Sequence, residues 1–121
     1  MKDLKKPLFV AAFSIISFSA SCQELICSAD GYINVMRDGV SRNKESKNYF
    51  IKVQNGRLRV RESGVLTEFI IVDTIVQGAI MGVNSNSLGI ELFSIDQSAL
   101  SMQKVTTNPF GSSVVHGKCS R

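Results

Sequence analysis

Apolar and polar residues alternate along most of this chain, and the clearest alternation runs from Asn48 to Glu62. Within that segment Asn55-Gly56 separates two alternating runs, and an Asn-Gly pair favours the type I′ turn of a two-residue β-hairpin. The turn sets the register, so apolar side chains share one face of the hairpin and cations share the other, together with Phe50. The cations on this basic face are Lys52, Arg57, Arg59 and Arg61.

Shorter alternating runs fill the rest of the chain after residue 22, and turn-forming residues separate them. Besides the hairpin, they predict strands over 24–29, 32–36, 65–72, 74–83, 89–95, 99–105 and 113–119. Asp30-Gly31 predicts a turn, while the polar segments 41–47, 84–88 and 106–112 predict loops. No helical period is present, so we predict a single all-β domain over 22–121. Its expected form is a small antiparallel sandwich or barrel of about eight strands.

The N-terminus has the features of a secretory signal peptide. Lys2, Lys5 and Lys6 precede an apolar run over 8–18, which is shorter than the ~20 residues of a membrane-spanning helix. We therefore predict a signal peptide over 1–21, with cleavage between positions 19 and 22. This signal implies an exported protein, either periplasmic or secreted, of bacterial origin.

Small residues directly precede Cys22, and this arrangement resembles a bacterial lipoprotein signal. The resemblance implies that Cys22 is acylated and becomes the new N-terminus, anchoring the protein to a membrane. Ser19 stands where that family usually has an aliphatic residue. Ordinary cleavage near Ala20 or after Cys22 therefore stays an alternative.

The cysteine count favours one disulfide. Cys22, Cys27 and Cys119 are the three cysteines, and exported chains tend to oxidise their thiols in pairs. Once Cys22 is removed or acylated, Cys27 and Cys119 remain. A bridge between them would close a loop of about 93 residues, worth on the order of 4–5 kcal/mol in the chain-entropy model. We predict that this bridge joins the first and last strands.

Charge placement indicates a surface for anionic partners. The predicted signal holds three of the 14 basic and one of the 10 acidic residues, so the net charge falls from +4 to +2 without it. Eight basic residues lie between Arg37 and Arg61, where Asp38 and Glu45 are the opposing acids. The basic face could bind lipid head groups, lipopolysaccharide, an acidic protein or nucleic acid. Nucleic acid is the weakest of these candidates, because the chain has few aromatic residues and no tryptophan for base stacking. The alternative is a solvated face that discourages aggregation.

Little in the sequence points to catalysis. His116 is the only histidine and no Cys-x-x-Cys pair exists, so we predict neither a metal nor a cofactor. Four carboxylates on separate strands or turns are expected to be solvated: Glu68, Asp73, Glu91 and Asp96. A small hydrolase, which would need His116, is the least supported hypothesis, and we predict a protein that is not an enzyme.

In outline the exported, all-β chain with its Cys27–Cys119 bridge resembles the periplasmic and lipoprotein inhibitors of C-type lysozyme. The resemblance covers the whole mature chain and implies a small disulfide-linked fold of the bacterial envelope. The family's inhibitory loop motif has no match here, and lysozyme is itself basic, so we assign no inhibitory residues. The leading hypothesis is a non-enzymatic binding protein whose basic face meets an anionic macromolecule. A barrel-like carrier of a small apolar ligand and a lysozyme-inhibitor-like envelope protein are the alternatives.

Overall fold

The computed structural model describes residues 23–74, 76–87 and 89–121, so the predicted signal peptide and Cys22 lie outside the described residues. Within this part of the chain no helix is long and apolar enough to cross a membrane. The described residues form nine antiparallel strands: β1 (Gln23–Met36), β2 (Gly39–Asn43), β3 (Lys47–Gln54), β4 (Arg57–Glu62), β5 (Val65–Val72), β6 (Ala79–Asn86), β7 (Gly89–Asp96), β8 (Ser101–Asn108) and β9 (Gly111–Ser120).

Eight of these strands close into a barrel. β1 pairs with β3 along its first half and with β9 along most of its length, and β3 to β9 pair in sequence order. β2 continues the edge of β1 beyond β3 as an extra strand. The predicted all-β fold of about eight strands is confirmed, and of the two expected forms the barrel is the one present.

β1 differs from the sequence-based prediction, because Asp30-Gly31 is not a turn. The strand runs unbroken through both residues, and its pairing with β9 shifts register between Ala29 and Tyr32, which marks a β-bulge. Gly31 is needed there for close approach, since a Cβ atom would collide with the backbone carbonyl of Asn43. The predicted loop over 41–47 is also wrong in part, because β2 occupies its first half.

Several other boundaries moved. β6 begins at Ala79, after Gly78 has taken a left-handed φ of 81°, so residues 74 and 76–78 are not strand. β8 begins at Ser101, because residues 99 and 100 belong to the turn after β7. β6 then continues through Asn86, into the predicted polar loop. The predicted loop over 106–112 shrinks to a two-residue connection between β8 and β9. In the last two cases backbone pairing extends a strand whose side chains are too polar to give a hydrophobic pattern.

The centre of the barrel is filled by side chains. The Phe93 ring lies 6.1 Å from the Tyr49 ring and 5.5 Å from the Phe69 ring, centroid to centroid. Gly82 faces the same layer, where a Cβ atom would lie 2.6 Å from Phe69 Cβ. The largest fully buried side chains are Tyr49, Phe69, Phe93, Leu58, Ile95, Met102 and Cys27.

The predicted Cys27–Cys119 disulfide is confirmed. The two cysteines are direct partners in the β1–β9 ladder, 92 positions apart in sequence. The bridge therefore joins the strands at the seam where the barrel closes. A disulfide of this kind indicates an oxidising compartment outside the cytoplasm.

Candidate functional site

The β3–β4 hairpin places the predicted basic face on the outside of the barrel. Asn55 and Gly56 have φ values of 52° and 74°, as a type I′ turn requires. Lys52 is paired with Arg59 in the expected register. Because the intervening residues of both strands are buried or half-buried, Lys52, Arg57, Arg59 and Arg61 all point outward.

Acidic residues from the neighbouring strands explain why like charges can face each other here. Glu24 of β1 is the cross-strand partner of Lys52, and Glu68 of β5 is the partner of Arg59. Glu24 Oε2 lies 3.9 Å from Lys52 Nζ, and Glu68 Oε2 lies 3.2 Å from Arg59 Nε, at an angle too bent for a hydrogen bond. Across the strands the row is Glu24, Lys52, Arg59 and Glu68, so two acids flank two bases and the four charges balance. Since all four side chains are well exposed, each ion pair stabilises the fold only slightly.

Three of the four predicted binding residues line one groove on the outer surface. This outer groove has a volume of about 590 Å³ and runs across β1, β3, β4 and β5. Lys52, Arg59 and Arg61 line it, whereas Arg57 lies outside it. Arg121 also lines the groove, and nothing in the sequence pattern indicated this fourth cation, because only folding brings the end of β9 beside β1.

Apolar side chains form the rest of the outer groove. Ile26, Phe50 and Leu66 line it and are 50%, 51% and 42% exposed. They share one cross-strand row with Arg61, in the order Ile26, Phe50, Arg61, Leu66. The groove therefore combines exposed apolar surface with cations.

Two of the groove cations have no acidic partner. Lys52 and Arg59 are paired with Glu24 and Glu68, but Arg61 and Arg121 form no ion pair with any residue of the described ranges. An incoming anion would therefore find two guanidinium groups whose charge is not already balanced by a neighbour.

A second group of charges lies inside the barrel. Lys104 Nζ donates to Glu62 Oε1 at 3.0 Å and lies 3.3 Å from Glu91 Oε2. Lys47 Nζ donates to the other Glu62 oxygen at 3.0 Å, and Asn84 Nδ2 donates to Glu91 at 3.2 Å. We call these five residues the inner charged cluster. Glu91 was expected to be solvated, and that prediction is wrong because its side chain is only 17% exposed.

Within the inner charged cluster, Glu62 and Lys47 are held in their ionised forms. Burial opposes ionisation of Glu62, but the hydrogen bonds and charges of Lys47 and Lys104 outweigh it and lower the pKa of that carboxyl. The hydrogen bond to Glu62 likewise raises the pKa of Lys47. Burial, with a smaller effect of Glu62, raises the pKa of the Tyr49 phenol, whose hydroxyl is buried without a hydrogen-bond partner among the described residues. These charges satisfy one another, so the cluster is chiefly structural.

The residues considered for catalysis are not gathered into a site. His116 is exposed on the outer face of β9. Asp96 accepts hydrogen bonds from the backbone amides of Ala99 and Ser98 in the turn before β8, and these bonds lower its pKa. Within the described ranges, no group of three or more His, Cys, Asp or Glu side chains could hold a metal ion.

Comparisons with known proteins add no relative. No protein-family model, no curated protein and no solved structure matches this chain. Any functional assignment therefore rests on the outer groove and the chemistry of its residues.

Proposed function

We propose that this chain is an exported, non-enzymatic binding protein of the bacterial envelope, and that its outer groove binds an anionic partner. One observation carries the proposal: Lys52 of β3, Arg59 and Arg61 of β4, and Arg121 after the end of β9 line a single groove. The disulfide supports the export that the signal-like N-terminus predicts, because such a bridge persists in oxidising compartments. In the lipoprotein form of this proposal, acylation of Cys22 adds a membrane anchor.

The position of the cations favours recognition over a purely solvated face. Clustered charges of one sign raise the local concentration of oppositely charged partners and speed their association. Here Glu24 and Glu68 balance Lys52 and Arg59, while Arg61 and Arg121 have no acidic partner among the described residues and remain for a partner. A guanidinium group can donate paired hydrogen bonds to an anion, which lysine does not offer in the same planar geometry.

The alternatives gain less support from the fold. A carrier of a small apolar ligand needs room inside the barrel, yet Tyr49, Phe69 and Phe93 fill its centre. An inhibitor of a basic lysozyme would have to present acids, whereas this groove presents cations.

Charge reversal on the hairpin tests the proposal. Arg61→Glu alters the groove, and Arg57→Glu is the matched control, because both lie on the outer face of β4 and both change the net charge equally. We expect the native protein to bind immobilised heparin and phosphatidylglycerol vesicles at low salt, and less as salt rises. Arg61→Glu should weaken binding clearly more than Arg57→Glu. Absence of native binding to every anionic probe at low salt would eliminate the proposal.

A further inference from the structure

The outer groove has two chemically different parts. Ile26, Phe50 and Leu66 line it, and each of these residues has about half of its surface exposed to solvent. Arg61 lies between Phe50 and Leu66 in the cross-strand row. A partner that was anionic but wholly polar would leave this apolar surface unused.

Both size and shape fit a single molecule. The volume of about 590 Å³ lies inside the range of roughly 300–1,000 Å³ that is typical of small-molecule sites. Such sites combine apolar walls with a few polar groups that fix the ligand's orientation. The groove is open to solvent along one side, so one chain can lie along it, whereas docking to a bilayer surface or to a large protein favours a broad flat or protruding face.

We infer that the ligand of the outer groove is a single-chain anionic amphiphile, with an acyl or alkyl chain on one end and a carboxylate or phosphate on the other. The inference rests on the proposed function and adds the chemical class of the partner. The ligand's alkyl chain covers Ile26, Phe50 and Leu66, and its anionic head pairs with Arg61, which has no acidic partner among the described residues.

Isothermal titration calorimetry of the oxidised protein tests this directly, and it suits a chain without tryptophan. The probes are dodecyl phosphate below its micelle concentration, butyl phosphate and inorganic phosphate, which share a head group and differ in chain length. Each buried methylene strengthens binding about fourfold. Burial of about four of the eight additional methylenes, at about fourfold each, predicts that dodecyl phosphate binds roughly 250-fold tighter than butyl phosphate.

Paired variants separate the two parts of the groove. Phe50→Thr should weaken dodecyl phosphate binding about tenfold and leave inorganic phosphate unchanged. Ile90→Thr is its control, because Ile90 is 45% exposed on β7 and lies outside the groove. Arg61→Gln should weaken every phosphate probe, while Arg57→Gln should not. Threonine suits exposed strand positions, so these variants are expected to fold.

Three outcomes would overturn the inference. Equal affinity for the three phosphate probes would leave the proposed function standing, with charge alone as its basis. Binding to phosphatidylglycerol vesicles without binding to monomeric dodecyl phosphate would make the partner a membrane surface. Failure of heparin, vesicles and all phosphate probes together would remove the proposed function as well.

Discussion

Glu62 is the residue on which the inner charged cluster depends, because it accepts hydrogen bonds from both Lys47 and Lys104 at 3.0 Å. Its side chain is 20% exposed. We expect Glu62→Gln to lower the free energy of unfolding by about 1.5–3 kcal/mol. Each charged hydrogen bond contributes roughly 1.5–3 kcal/mol, and we halve the sum of the two because Lys104 keeps Glu91 and the amide oxygen of glutamine can still accept.

The control for this substitution is Glu24→Gln. Glu24 also pairs with a lysine, but its side chain is 70% exposed and the two charged atoms are 3.9 Å apart. Exposed pairs of this kind contribute about 0–1 kcal/mol. Urea unfolding followed by circular dichroism would measure the free energy of unfolding of both variants. An unchanged m-value, the slope of that free energy against urea concentration, would show that both variants unfold by the same transition as the native protein.

The pH dependence gives a second check on Glu62. Its pKa in the folded protein is lower than the ordinary value of 4.5. The ionised carboxylate therefore stabilises the fold above the unfolded-state pKa, and this contribution is lost as the pH falls through the folded-state pKa. The difference in free energy of unfolding between the native protein and Glu62→Gln should be largest at neutral pH and should shrink below about pH 4. Equal effects of Glu62→Gln and Glu24→Gln at neutral pH, or a gap that persists in acid, would refute the reasoning.

Two further predictions concern the barrel itself. Replacing Cys27 and Cys119 together with alanine should lower the free energy of unfolding by about 2–5 kcal/mol, and reducing the native protein should lower its urea midpoint to a similar degree; an unchanged midpoint on reduction would show that the bridge adds no stability. Gly82→Ala should destabilise the barrel by about 1–3 kcal/mol, because the new methyl would crowd Phe69 and Leu58. Gly56→Ala is its contrast: nothing lies within 4 Å of a Cβ there, but φ is +74°, so we expect about 1 kcal/mol from backbone strain alone. A Gly82→Ala protein that melts at the native temperature would contradict the packing.

The parts of the fold that were predictable are those where local chemistry and long-range patterning agree. Asn55-Gly56 fixed the β3–β4 register by itself, and the structure reproduces the Lys52–Arg59 pairing. The pairing of Cys27 with Cys119 followed from counting the cysteines once the predicted signal peptide had set Cys22 aside. By contrast all five residues of β2 are exposed, so its strand form depends on backbone hydrogen bonds to β1. A hydrophobic pattern cannot predict such bonds.

The candidate site divides in the same way. Lys52, Arg59 and Arg61 were predictable because one hairpin carries them. Arg121 was not, since its place beside β1 depends on barrel closure. The inner charged cluster was missed for a related reason: Glu62, Glu91 and Lys104 occupy inward positions where alternation predicts apolar residues. Each looks unfavourable alone, and only the register of strands distant in sequence brings the opposite charges together.

Barrel closure links the stability of this protein to its proposed function. Cys27 follows Ile26, which lines the outer groove, and Cys119 lies two positions before Arg121, which lines it as well. The disulfide between β1 and β9 therefore also holds Arg121, which follows β9, near Ile26 of β1. Because the interior is filled by Phe93 and its neighbours, the proposed binding is left to the outer surface. Under that proposal the disulfide has two roles, restricting the unfolded chain and holding together the parts of the groove that β1 and the end of β9 supply.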